Sequence, residues 1–208
     1  MKILISAGPT REKIDIIRFI SNRSTGKMGY ALAAVAAGKD MEVVLISGPV
    51  TLAVPDNVRL IKVESAAEMA KAVCLEAPDA DLIIMSAAVA DFKPKQVYDH
   101  KIKKTSGNLT IELEATEDIL LTLGKNKPEG QVLVGFAAES ENLLNNAQDK
   151  MKRKNLDWII ANDISKKDRG FASDSNAVTM LSKDGKQIEI PMDSKKHIAR
   201  QIMNILGQ

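Results

Sequence analysis

The chain has 208 residues, 45% of them hydrophobic and 27% charged, which suits one globular domain with a full core and is short for two. Its 29 basic residues against 27 acidic leave a net charge of +2, too balanced for a nucleic-acid footprint, and aromatics at 3% are too few for base-stacking platforms. A single cysteine, Cys74, excludes an internal disulfide, and two histidines, His100 and His197, leave little material for a zinc cluster or a Ser-His-Asp triad.

The opening MKILISAGPT carries one lysine and a short apolar run, which predicts a buried first strand at residues 2–7 rather than a signal peptide. No stretch approaches the ~20 apolar residues of a membrane span, so a cytoplasmic protein without membrane contact is expected. NRS and NLT match the glycosylation pattern, but without secretion they carry no meaning. Residues 21–30, SNRSTGKMGY, place glycines, hydroxyls and a lysine before a predicted helix at 29–37. Further strands are predicted at 42–47, 58–63, 82–87, 132–137 and 158–161, and further helices at 66–76, 119–125 and 142–154. Cys74 lies in the 66–76 helix, where buried packing is its expected role. Most strands are rich in Val, Ile and Leu without polar alternation, as when both faces of a parallel sheet are covered. The order of elements therefore predicts an α/β, Rossmann-like, doubly wound and mostly parallel sheet with right-handed crossovers.

Two segments break that rhythm. Residues 108–115, NLTIELEA, alternate polar and apolar, which predicts an added, half-exposed antiparallel strand. Residues 177–191 form two alternating runs around Asp184-Gly185, a hairpin signal. Residues 194–207 then read as a closing amphipathic helix, with Ser194 as its cap and Gly207 past its end. With no repeat, linker or low-complexity tract, residues 1–208 are expected to form a single domain.

In such sheets ligands lie beyond the carboxyl ends of the strands. The segments leaving those ends are SAGPTRE, SGPVT, SAAVADFKPK, GFAAES and ANDIS. The SNRSTGKMG loop fits neither common phosphate-binding pattern. Met28 follows Lys27 where a Walker loop needs a hydroxyl, and Ser21 stands in place of its first glycine. The second strand runs out through Ser47, Gly48 and Pro49, without the acid that would hold a dinucleotide ribose. Two readings stay open: a helix start capped by Ser24 or Thr25, or an anion site built from exposed N–H groups. Asp91 is either a turn cap or a functional carboxylate at the sheet edge. HKIKK, residues 100–104, is either a solvated basic run or the source of a lysine that neutralises charge on a phosphate. Lys150 and Lys154, four apart on a predicted helix, are either charged surface or a triphosphate clamp.

Taken in order, SAGPTRE, ISNRSTGKMG, SAAVADFKP, KIKK, VGFAAE, RKNLDWIIAND and GFASDSNAVTML make essentially the whole chain resemble phosphopantothenoylcysteine synthetases, the phosphopantothenate–cysteine ligases. The resemblance implies a ligase of coenzyme A biosynthesis that uses CTP, accompanied by magnesium. The carboxylate of 4′-phosphopantothenate attacks the α-phosphate to give an acyl-cytidylate and pyrophosphate, and cysteine then displaces CMP to form an amide. It also implies a homodimer whose active site draws on both subunits. In many bacteria this domain is the C-terminal half of a fusion with a flavin decarboxylase. The other half is absent from this sequence, so a stand-alone ligase or an excised domain is expected, with the decarboxylase as a fused or separate partner.

Residue by residue, the resemblance assigns Asn22 to the acyl-cytidylate, through donation from its amide, and Lys101 to the formation of that intermediate. Ser24 and Gly26 would lie against phosphate, Asp91 and Phe136 at the cytidine, and Lys150 and Lys154 on the nucleotide. Glu117, Asp118, Ile119 and Leu120 form another nucleotide-contacting segment, although EDIL departs from the family's more usual proline-aspartate start. Ala87 would let substrate approach. The irregular stretch 91–107 is expected to form a flap over substrate. Two alternatives compete with this reading. A nicotinamide-dependent reductase on a Rossmann-like fold lacks both its ribose acid and a Tyr-x-x-x-Lys pair, since Ile102 stands four residues after Tyr98. A non-catalytic nucleotide-binding module has no use for an amide beside a reactive lysine.

Overall fold

A computed structural model describes residues 1–104, 107–139, 142–163 and 174–207. Its strands are β1 (Lys2–Ala7), β2 (Arg11–Lys13), β3 (Phe19–Ser21), β4 (Glu42–Ser47), β5 (Val58–Lys62), β6 (Leu82–Met85), β7 (Phe92–Pro94), β8 (Leu113–Ala115), β9 (Val132–Glu139), β10 (Trp158–Asp163), β11 (Ser175–Ser182) and β12 (Gln187–Ser194). The helices are α1 (Lys27–Ala37), α2 (Ala66–Glu76), α3 (Ile119–Asn126), α4 (Leu143–Arg153) and α5 (Lys195–Leu206). The main sheet has the order β12-β11-β10-β9-β6-β1-β4-β5. From β10 to β5 every pairing is parallel, while β11 and β12 add on antiparallel.

Both faces of the sheet are covered, which explains strands that are apolar at nearly every position. Leu4, Ile83, Leu133 and Ile159 point to the layer of α2, α3 and α4. Ile3, Ile5, Ile84, Val134 and Ile160 point to the layer of α1 and α5. Each such side chain, fully withdrawn from water, stabilises the fold by about 1.5–3 kcal/mol.

The predicted strands and helices all occur, with the bounds of β1, β4 and α2 as predicted and those of the others shifted. β6 stops at Met85, two residues early, because side chains take over from the ladder: Ser86 Oγ donates to Ser6 O (2.6 Å) and Ala87 N to Ser6 Oγ (3.1 Å). The segment 108–115 is a strand only over Leu113–Ala115, and it pairs with Phe92–Pro94 in a separate two-stranded sheet. The β2–β3 hairpin carries no Asn-Gly or Asp-Gly signal and was not anticipated. Cys74 is exposed, contrary to expectation. The buried stripe of α2 runs through Ala66, Met69, Ala70 and Val73, and Cys74 lies on its margin, about 40° of helix beyond Ala70. The hairpin around Gly185 and the Ser194 cap, which accepts from His197 N (3.3 Å), follow the sequence. Parts of ANDIS and GFASDSNAVTML lie outside the described residues.

Asp157, just before β10, is buried and ties three segments together. It accepts from Lys127 Nζ (2.6 Å), Lys183 Nζ (2.8 Å) and the Leu133 N–H (2.8 Å). Burial opposes its charge, but the two lysines and the N–H outweigh it and hold the carboxyl below its ordinary value. A depressed carboxylate contributes stability that is complete above its unfolded pKa and lost as pH falls through the folded one. Asp157→Asn should therefore lower unfolding free energy at neutral pH by about 2 kcal/mol. It should also flatten the loss of stability below roughly pH 4. Urea melts at pH 7 and pH 3 check both, and unchanged midpoints at pH 7 would contradict the expectation.

Candidate active site

The chain runs outward from β1 through α1 to β4 and β5, returns through α2 to β6, and continues to β9 and β10. The winding direction therefore reverses between β1 and β6, where doubly wound sheets open a crevice at the carboxyl edge. A cavity of about 770 Å³ lies there, lined by residues 22–29, 85–91, 116–120 and 136–138, with Lys150, Lys154, Asn162, Asn176 and Lys195.

The α1 end of the cavity is shaped by two glycines. Gly26 occupies the N-cap position with φ +76°, a left-handed conformation that side chains disfavour, so neither Ser24 nor Thr25 stands at the cap. Ser24 Oγ instead accepts from Gly26 N (3.3 Å). Gly29 lets the first turn sit directly on the sheet, because a Cβ there would lie 2.5 Å from Ala7 Cβ and 2.7 Å from Ser86 Oγ. Lys27 Nζ pairs with Asp174 (2.5 Å).

Segments 6–12 and 47–51 do not line the cavity; they hold its walls. Gly8 O accepts from Ala88 N (2.9 Å), Thr10 N donates to Ala88 O (3.3 Å), and Thr10 Oγ1 accepts from Ala90 N (2.9 Å). Val50 packs beside Gly8 and Gly26. Asn22 joins the same grip, with Nδ2 donating to Ala88 O (3.0 Å) and Val89 O (3.1 Å). Two carbonyl acceptors fix the amide's orientation. In this arrangement the amide nitrogen that the resemblance directs to an intermediate faces the two wall carbonyls.

At the opposite end, Lys150 Nζ donates to Phe136 O (2.8 Å), and Lys154 Nζ pairs with Asp118 (2.8 Å). Lys154 is the C-cap residue of α4 rather than part of it, yet both lysines reach the cavity. Burial raises the Asp118 pKa, but Lys154 and the Leu121 N–H prevail and hold it below its ordinary value. Ala87, Asp91, Glu117, Ile119 and Leu120 line the wall, and the backbone of Asp91 pairs with Thr116 (2.9 Å).

Lys101 is not among the residues lining this cavity. The stretch around it is strapped to the β2–β3 hairpin, with Tyr98 N donating to Ile14 O (3.0 Å) and Ile102 N to Asp15 Oδ2 (3.1 Å). Sequence reasoning missed Lys195, a buried lysine on the cavity wall whose pKa is pushed down by burial and then by the Lys27 charge. It also missed Asn162, whose Oδ1 is buried without a partner among the described residues. Only the crossing of β10, β11 and α5 brings these two side chains into the cavity. Among the described residues no helix is long and apolar enough to cross a membrane, and no three metal-ligating side chains cluster.

A family model described as the DNA/pantothenate metabolism flavoprotein C-terminal domain matches residues 1–208. The coenzyme A biosynthesis bifunctional protein CoaBC of Bacillus subtilis (strain 168) is 50% identical over 202 residues, covering 97% of this chain and 50% of its own length. CoaBC of Escherichia coli (strain K12) is 42% identical over 207 residues, covering 98% and 51%. The chain thus spans about half the length of these curated relatives. The crystal structure of the C-terminal domain of CoaBC is similar with a TM-score of 0.85 at 46% identity, over 99% of this chain and 93% of that one. A Cab2 variant in complex with phosphopantothenate-cysteine shares the fold, with a TM-score of 0.80 at 16% identity over 98% of this chain and 85% of its own.

Gly29→Ala tests the close seating of α1. The added methyl should cost about 2 kcal/mol of stability, as overpacking does. By lifting the helix start it should also weaken binding of pyrophosphate as a probe anion. Thermal melts and calorimetric titration check the two effects, and wild-type values in both would show that α1 tolerates the displacement.

Proposed function

The chain belongs to the DNA/pantothenate metabolism flavoprotein C-terminal domain family, and from that premise we propose that it joins 4′-phosphopantothenate to L-cysteine at the expense of CTP. The observation that carries this reading is one cavity at the switch point that gathers Asn22, Gly26, Asp91, Phe136, Lys150 and Lys154 from segments far apart in the chain. In the first step a carboxylate oxygen of phosphopantothenate attacks the α-phosphorus, and pyrophosphate leaves. In the second the cysteine amine attacks the acyl carbon of the cytidylate, loses its proton, and expels CMP as the amide forms. Neither step needs a nucleophile from the protein. Positioning and charge stabilisation suffice, in keeping with a chain poor in cysteine and histidine.

The helix start at Gly26 and the lysines suit the phosphates, and Phe136 offers an apolar surface to the base. Asn22 braces the wall on which the acyl group would lie. Magnesium fits this donor set in the way it commonly accompanies triphosphates, through phosphate oxygens, water and one or two carboxylates. Asp91 and Glu117, which line the cavity, would hold it, and when bound it would neutralise phosphate charge. Because Lys101 lies off its own cavity, we take the site to be completed in a homodimer, with the lysine supplied across the subunit interface. A flavin decarboxylase, fused or separate, would provide the partner activity suggested by the bifunctional relatives.

Incubation with phosphopantothenate, cysteine, magnesium and either CTP or ATP tests the reading. Phosphopantothenate-dependent pyrophosphate release is expected, with CTP preferred; no release with any nucleotide would sink the proposal, whereas a nicotinamide-dependent reduction would favour the reductase. Lys101→Gln should abolish the first step by removing charge from the phosphate. Asn22→Asp should let the acyl-cytidylate accumulate, because a carboxylate would repel both the Ala88 and Val89 carbonyls and the developing oxyanion. Loss of turnover of roughly 100-fold or more is expected for each. Normal turnover of Asn22→Asp would remove that residue from the mechanism.

A further inference from the structure

Beside Lys101, the segment that carries it is held by a buried carboxylate and its arginine partner. Asp15, at the tip of the β2–β3 hairpin, is 2% exposed. Its Oδ1 accepts from the N–H groups of Ile17 (2.8 Å) and Arg18 (2.8 Å). Its Oδ2 accepts from Arg18 Nε (3.0 Å), Arg18 Nη2 (2.6 Å) and the N–H of Ile102 (3.1 Å). The first four bonds are local and would be enough to close the hairpin turn. The fifth reaches 87 residues along the chain.

Arg18 completes the clasp from the other side, since its Nη2 also donates to Ile102 O (2.7 Å). Both backbone polar groups of Ile102 are thus taken by one ion pair, and the neighbouring Lys101 side chain is left exposed. A hairpin closed for its own sake would not need to engage a distant residue at both its N–H and its C=O. Burial opposes the charge on Asp15, but the surrounding N–H donors outweigh it and hold the carboxyl well below its ordinary range.

We propose that Asp15 is the positioning residue for Lys101: its bonds to Arg18 and Ile102 fix the backbone beside the lysine, so that the ammonium is delivered to the reacting phosphate from a rigid hairpin instead of a loose loop. The hairpin runs from Ser21 directly into Asn22, so the same element that fastens the Lys101 segment leads into the cavity wall. The ordering of the arm is then complete before substrate binds, which is how pre-organisation speeds a bound reaction. This proposal rests on the ligase reading for its chemistry but not for its geometry.

Asp15→Asn separates the two. The variant keeps an acceptor for the partners of one carboxyl oxygen, turns a donor toward those of the other, and loses the charge that holds Arg18. Trypsin cutting after Lys101, Lys103 and Lys104, measured without ligand, should accelerate about tenfold while cutting outside this segment and the β2–β3 hairpin is unchanged, since cleavage tracks local opening. In the pyrophosphate assay kcat should fall about tenfold with the KM for CTP within about twofold, as for a group acting only in the transition state. Added to Lys101→Gln, the substitution should cost nothing further, because it acts through that lysine. Arg18→Gln, which removes the bond to Ile102 O, should move every readout the same way and serves if Asp15→Asn fails to fold. Unchanged cutting at residues 101–104, or faster cutting with wild-type kcat, would overturn the proposal. A wild-type protein that releases no pyrophosphate would instead defeat the ligase reading, and the cutting pattern would still decide whether the clasp exists.

Discussion

The architecture of the site depends on how the backbone of residues 88–90 is gripped. Gly8 and Thr10 hold it from the β1 side, Asn22 from the loop before α1, and Thr116, whose Oγ1 donates to Ala90 O (2.6 Å), from the segment before α3. This short stretch has left the sheet at Met85 and has no ladder partner of its own beyond one bridge between Pro9 and Ala88. Its polar groups would otherwise need water, and an unpaired group in a half-buried wall is costly. Side chains and backbone from three other segments supply the missing bonds, and in doing so bring Asn22, Asp91 and Glu117 to one cavity.

Charge is distributed around that cavity according to the two faces of the sheet. Lys150 and Lys154 arrive with α4 from one face, and Lys27 and Lys195 arrive with α1 and α5 from the other. Each pair has a carboxylate nearby, Asp118 for Lys154 and Asp174 for Lys27, so the positive charge is held in place without a bound anion. At the carboxyl edge of the sheet both pairs line a single cavity, because beyond the strand ends no strand separates the two helix layers.

The β2–β3 hairpin links the remaining parts. One of its ends leads into the loop containing Asn22, and its tip fastens the segment containing Lys101. A long irregular stretch that the sequence presents as a flap is, in the fold, fixed at Tyr98 and Ile102 to another element. The two residues to which the resemblance gives catalytic roles are therefore tied to one hairpin, although only one of them lines the cavity of its own chain.

Local pattern determined much of this protein by itself. Unalternating apolar runs gave a covered parallel sheet, Asp184-Gly185 gave the edge hairpin, and Ser194 gave the start of the last helix, because each depends on nearest neighbours or on a fixed period. The exposure of Cys74 was also legible in principle, on the margin of a visible stripe on α2. Only the tertiary structure decided that the amide of Asn22 donates to Ala88 and Val89, that Lys195 is buried at the cavity wall, and that Lys101 stands apart from it. These facts depend on which loop lies beside which. Strand order sets that relation, joining residues as distant as Asp15 and Ile102, and no local period encodes it.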